Sequence, residues 1–143
     1  MATLPESKLS RPRGSEVYWS DTDSEENFKN NPKPGYTDTS ITYKYNAQGF
    51  RTREFEVPTS KTNVLFLGCS HTEGIGLRVE DTWVHKVSEQ LDAERFNCYN
   101  LGVAGGSCDT VVKNLVNCTN HLIPGVDRKS TRLNSSHVKR SRM

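Results

Sequence analysis

The chain has no apolar run long enough to cross a membrane, so a spanning helix is not expected. Met1-Ala2-Thr3-Leu4-Pro5 lacks the basic-then-apolar opening of a cleaved export signal, which makes the cytoplasm the expected location. Cys69, Cys98, Cys108 and Cys118 contain no C-x-x-C pair. In that setting they read as reduced thiols, neither disulfide staples nor zinc ligands. Apolar residues are scarce too, at 33% of 143 residues, which leaves part of the chain outside any core. The remainder suffices for one domain with a modest core, and no internal repeat is visible.

Two binding signatures are also missing. Gly74-Ile75-Gly76 is followed by Val79 where a third dinucleotide-loop glycine belongs, and no G-K-[ST] ending occurs. The acidic run Asp21-Thr22-Asp23-Ser24-Glu25-Glu26 has neither the glycine nor the closing glutamate of a calcium loop, so it reads as a solvated segment. No metal and no cofactor are expected. The net charge of +2 suggests nucleic acid only until its location is considered. Residues 127–143 contribute +5, which leaves −3 for residues 1–126, so the body is mildly acidic and nucleic acid is not an expected partner.

In order along the chain, residues 1–39 form a polar, poorly ordered extension, in which Tyr18-Trp19 is a candidate anchor and Asn30 to Gly35 a linker. Residues 40–126 hold the domain. Ile41-Thr42-Tyr43-Lys44-Tyr45 alternates as a strand does, and Asn46 to Arg51 supplies a turn. Phe50 is assigned to the core, and Arg51 and Arg53 to the surface in preference to substrate contacts. Val64-Leu65-Phe66-Leu67 has the composition of a strand buried on both faces. Asp81 is the predicted N-cap of a helix running to Ala93, with Trp83, Val84, Val87 and Leu91 on one apolar face. Phe96 to Leu101 is a second strand. The strand-helix-strand order predicts a right-handed crossover between parallel strands. A second helix spans about Asp109 to His121, with Val111, Val112, Leu115, Val116 and Cys118 inward, and Leu122-Ile123-Pro124-Gly125 stops it. Asn117-Cys118-Thr119 matches a glycosylation acceptor but lies within that helix, so it is discounted.

The organising stretch is Asn63 to Gly76, where the apolar strand stops at Gly68-Cys69-Ser70. That ending puts Ser70 at the carboxyl edge of a sheet, the usual ligand side of open α/β folds. A serine there is either a turn or capping residue or a nucleophile served by nearby backbone amides. Gly68-Cys69-Ser70-His71-Thr72-Glu73-Gly74 resembles the G-D-S-x-T-x-G block of the SGNH (GDSL-type) hydrolases. Asn100-Leu101-Gly102-Val103-Ala104-Gly105-Gly106-Ser107 is similar to their N-x-G-x-x-G segment, and the likeness covers roughly residues 41–122.

That resemblance implies an incomplete three-layer, flavodoxin-like α/β fold with a parallel sheet. It implies ester hydrolysis with Ser70 as nucleophile and the amides of Ser70 and Gly105 as oxyanion donors. The substrate would be a small ester, such as an acylated carbohydrate or lipid. Cys69 replaces the usual aspartate and is expected to point into the core as a small apolar group. The family's asparagine block and its terminal Asp-x-x-His pair do not occur in the sequence. His71, His85 and His121 are not placed to act as the base, so these 143 residues are expected to show no useful esterase activity. A non-catalytic module binding carbohydrate or a phosphate-bearing ligand is the alternative. Asp127 to His137 resembles the translation of a short-read sequencing adapter. On that reading residues 127–143 are a non-native tail, and the natural protein continues past Val126.

Overall fold

The computed structural model describes residues 14, 16–17, 24–37, 41–56 and 59–122, without the side chains of residues 17 and 119–121. Tyr18-Trp19, the stop after Leu122 and the basic tail lie outside the described residues. The element order is β1 (Glu16–Val17), α1 (Glu25–Asn30), β2 (Tyr43–Lys44), β3 (Thr62–Phe66), α2 (Ser70–Glu73), α3 (Trp83–Ser88), β4 (Phe96–Asn100) and α4 (Cys108–His121). One 3-10 turn, Val79–Asp81, precedes α3.

β3 and β4 pair in parallel, with Thr62 opposite Phe96 and Phe66 opposite Asn100. Side chains alternate across a strand, so Val64, Phe66, Cys98 and Asn100 share one face, and Asn63, Leu65, Asn97 and Tyr99 share the other. α3 packs on the first face, where Trp83 meets the Phe66 ring edge-on at 5.5 Å between centroids. α4 packs on the second. Its Cys118 and the following Leu122 join Phe50, Tyr99, Leu101 and Val103 in the main apolar cluster. The architecture is thus α/β with a parallel pair, as the strand-helix-strand order predicts.

Ahead of this unit, β1 and β2 form a short antiparallel pair. Ile41, Tyr43 and Tyr45 alternate as the sequence suggests, and all three are buried in a second cluster. The chain then reverses because Asn46 Oδ1 accepts from the amides of Gln48 and Phe50, at 3.1 and 3.0 Å. Gly49, at φ +82°, supplies the left-handed residue the reversal needs. Phe50 follows directly into the core.

Four sequence expectations are corrected. The N-cap of α3 is Thr82, whose hydroxyl accepts from His85 N–H at 3.2 Å. Asp81 instead accepts from Tyr36 O–H and from Arg78 Nε at 2.9 Å. Those bonds, Tyr36 first and then Arg78, hold its carboxyl below the usual carboxylate range. α3 also ends at Ser88, not at Ala93. The Asp92 carbonyl accepts from the amides of Arg95 and Phe96, forming a turn that redirects the chain into β4.

The inward face of α4 differs as well. Asn114 and Cys118 are buried, whereas Val112 and Val116 are 57% and 55% exposed and Leu115 is also exposed. The i, i+4, i+8 series Asn114, Cys118, Leu122 wins because it lies over the core, and a hydropathy pattern assigns the polar Asn114 to the wrong side. Finally, β3 is not buried on both faces. Only Phe66 is buried; Val64 and Leu65 are half-buried, and among the described residues β3 pairs with β4 alone.

Candidate functional site

Ser70 is the first residue of α2, immediately beyond the β3 end, and Cys69 is the N-cap in extended conformation. The first amides of a helix have no partner within it. Thr72 and Glu73 N–H both turn back to the Cys69 carbonyl at 3.0 Å, and Gly74 and Ile75 N–H reach the Ser70 carbonyl. Among the described residues the Ser70 and His71 amides make no hydrogen bond. The helix stops after one turn at Gly74, which is left-handed at φ +82°. Any side chain at that position would also strike Thr82.

The loop after β4 runs beside the loop after β3. Leu101 N–H donates to the Phe66 carbonyl at 2.7 Å and Val103 N–H to the Gly68 carbonyl at 3.0 Å. Asn100 joins both loops. Its Nδ2 donates to the Thr72 carbonyl at 2.7 Å, while its Oδ1 accepts from Gly102 N–H at 2.9 Å. A methyl group on Gly102 would overlap the backbone nitrogen of Glu73 and sit 2.8 Å from the Thr72 carbonyl carbon, so glycine is required for this approach. The next residues close a turn, with Gly106 N–H donating to the Val103 carbonyl at 2.9 Å. Gly105 is left-handed at φ +72°. Among the described residues Gly105 N–H also makes no hydrogen bond. The two residues picked out by the sequence, Ser70 and Gly105, therefore lie on loops tied together at several points, each with an unengaged amide.

Sequence reasoning misses what holds this arrangement. Glu73, three residues after Ser70, is 1% exposed. Its Oε1 accepts from Tyr45 O–H at 3.0 Å and its Oε2 from Ala104 N–H. Arg51 is buried as well, contrary to its surface assignment. Its guanidinium donates to the carbonyls of Glu73, Gly74, Thr42 and Leu77 at 2.6–3.2 Å and lies 4.2 Å above the Tyr43 ring. A planar fork of five donors suits such a cluster of carbonyls, and that geometry overrides the preference of arginine for water. Arg53 is exposed as expected, though it also donates to Asn97 Oδ1 and pairs with Glu56 at 3.2 Å. The signals available in the sequence were slight: a carboxylate among small residues in the Ser70 block, and an arginine directly after a core phenylalanine.

The remaining candidates do not converge on Ser70. His71 is exposed, and His85 faces Glu89 one turn along at 3.5 Å. The side chain of His121 lies outside the described residues. Cys69 is half-buried and does not belong to the main cluster, so it is not the core thiol expected of it. A groove of about 440 Å³ lies between α3 and β4, but neither Ser70 nor Gly105 lines it. Within its lining, Lys61 donates to the Ala93 carbonyl at 2.9 Å. The groove and the paired loops are thus separate features. Among the described residues no group of three or more His, Cys, Asp or Glu could hold a metal ion, and no helix is long and apolar enough to cross a membrane.

No family model, curated protein or solved structure matches the chain.

Proposed function

We propose that the chain carries the nucleophile half of a serine-dependent ester hydrolase of the SGNH type. Ser70 is the nucleophile, and the Ser70 and Gly105 amides receive the oxyanion formed when its hydroxyl attacks a carbonyl. The observation that carries this reading is the pair of unengaged amides on loops laced to each other, one of them belonging to the serine itself. Fixed donors aimed at developing charge are the largest single contribution in acyl transfer, because they need no reorganisation during reaction. The helices on opposite faces of a parallel pair fit the three-layer, flavodoxin-like fold of that family. The substrate class is a small ester, with an acylated carbohydrate or lipid the leading forms.

The sequence has no Asp-x-x-His pair, and among the described residues no histidine hydrogen-bonds the Ser70 hydroxyl. The chain alone is therefore expected to be inactive toward esters. An external base restores the missing function for a test. With a fluorophosphonate and excess imidazole, Ser70 Oγ forms the bond to phosphorus, fluoride leaves, and imidazole takes the hydroxyl proton. Mass spectrometry is expected to find the adduct on Ser70, with a rate that rises with imidazole and vanishes in Ser70→Ala. Labelling spread evenly over other serines, with none favouring Ser70, would refute the assignment.

A further inference from the structure

We infer that Glu73 is a positioning residue that fixes the direction of the Gly105 N–H; this rests on the reading of Ser70 and Gly105 given above. Val103 to Gly106 form a four-residue turn closed by Gly106 N–H on the Val103 carbonyl, with the third residue left-handed. A left-handed third residue is what a type II turn requires and a type I turn lacks. Types I and II share the conformation of their first central φ. They differ by about 150° in ψ of the second residue and about 170° in φ of the third, a flip of the peptide joining them. In this turn the flipping peptide is Ala104–Gly105, and its N–H is that of Gly105. Turning it over would swing the proposed oxyanion donor away and present a carbonyl oxygen in its place.

Glu73 holds the peptide immediately before the flipping one. Its buried carboxylate accepts Ala104 N–H through Oε2, while Oε1 is held by Tyr45 O–H at 3.0 Å. The carboxylate projects from the same single helical turn that begins with Ser70. It therefore references the Ala104–Gly105 turn to the nucleophile's own helix, with the Tyr45 hydroxyl setting its second oxygen. A glycine at 105 makes the left-handed state accessible but does not select it, since glycine populates both signs of φ. The selection falls to the neighbours of the flipping peptide, and Glu73 is the side chain that grips one of them.

Glutamine can replace this grip. Its Oε1 accepts Ala104 N–H and its amide donates to the Tyr45 hydroxyl, which is able to accept as well as donate. Alanine cannot. The test uses the full chain, the fluorophosphonate with imidazole, and the amide signal of Gly105 before and after adduct formation. Glu73→Gln is expected to label Ser70 within about 3-fold of the unaltered rate, and Glu73→Ala about 10- to 100-fold more slowly, since one oxyanion donor is worth about 10²–10³. Adduct formation is expected to move the Gly105 amide proton downfield in the unaltered chain and in Glu73→Gln, but not in Glu73→Ala. If Glu73→Ala loses its fold by circular dichroism, Glu73→Asp takes its place, with the carboxylate drawn back by one methylene. A folded Glu73→Ala or Glu73→Asp that labels at the unaltered rate with the same Gly105 shift overturns the inference. So does a Glu73→Gln as slow as Glu73→Ala, because charge and not position would then be acting. Absence of Ser70 labelling in the unaltered chain is a different failure: it removes the nucleophile assignment, and this inference with it.

Discussion

Arg51→Met should destabilise the chain by about 3–5 kcal/mol, because four carbonyls lose one buried charged donor. Arg51 is 5% exposed, and its guanidinium donates to four carbonyls, of Glu73 at 3.2 Å, Gly74 at 2.6 Å, Thr42 at 2.7 Å and Leu77 at 2.9 Å. Methionine keeps an aliphatic stem but loses the guanidinium that lies 4.2 Å above the Tyr43 ring, and it leaves those oxygens without their donor. Each hydrogen bond to a charged group is worth about 1.5–3 kcal/mol, yet the four share one cation and do not add fully. A loss of that size is a third or more of a stability of about 5–15 kcal/mol. Urea unfolding followed by tryptophan fluorescence and circular dichroism reads it by linear extrapolation. Arg51→Lys should recover less than half of the loss, because one ammonium cannot present two nitrogens to two pairs of carbonyls. If Arg51→Met unfolds within about 1 kcal/mol of the unaltered chain at the same urea dependence, the carbonyl cluster is not held by this side chain.

Two further outcomes follow from close contacts and burial. Gly102→Ala should destabilise by about 1–3 kcal/mol, the range for overpacking, and slow Ser70 labelling, because the added methyl meets the backbone of Thr72 and Glu73; unchanged melting and labelling would contradict that approach. Burial pushes the Cys118 thiol up to about 12, so in the folded chain at pH 9 a maleimide should react with the exposed Cys108 and spare Cys118, equal rates being the contrary result. The same burial sets a sign: a thiol with a raised folded pKa contributes stability below its unfolded value near 9. That contribution fades as pH climbs from there toward 12.

Much of the framework can be read from local pattern. The apolar run into Gly68-Cys69-Ser70, the helix around Val84 and the strand Phe96–Asn100 are each short-range signals, and their order implies the parallel pair. The Ser70 position follows from the small residues that end a strand, whereas Gly105 follows only from the resemblance of Asn100 to Ser107 to the SGNH segment. The polar framework is not legible in this way. Arg51 reaches Glu73 across 22 residues, and Glu73 reaches Ala104 across 31. Nothing local marks an arginine or a glutamate as buried, and composition argues against both. The face of α4 fails for a related reason: Asn114 occupies an inward position that hydropathy alone reserves for its valines and leucine.

Three of the buried polar side chains, Arg51, Glu73 and Asn100, have one feature in common. Arg51 binds four carbonyls, Asn100 binds a carbonyl and an amide, and Glu73 binds an amide along with the Tyr45 hydroxyl. Most of these bonds go to the main chain of the two loops that carry Ser70 and Gly105. Such a pattern suits a site whose donors are themselves backbone groups, because an oxyanion amide has no side chain of its own by which it can be aimed. Its direction must come from neighbours that hold adjacent peptides, and burial gives those neighbours fixed rotamers and keeps water from competing. Substitutions that remove these bonds at Arg51, Glu73 or Asn100 should therefore alter Ser70 reactivity through the angle of the amides, while the Ser70 hydroxyl remains chemically the same.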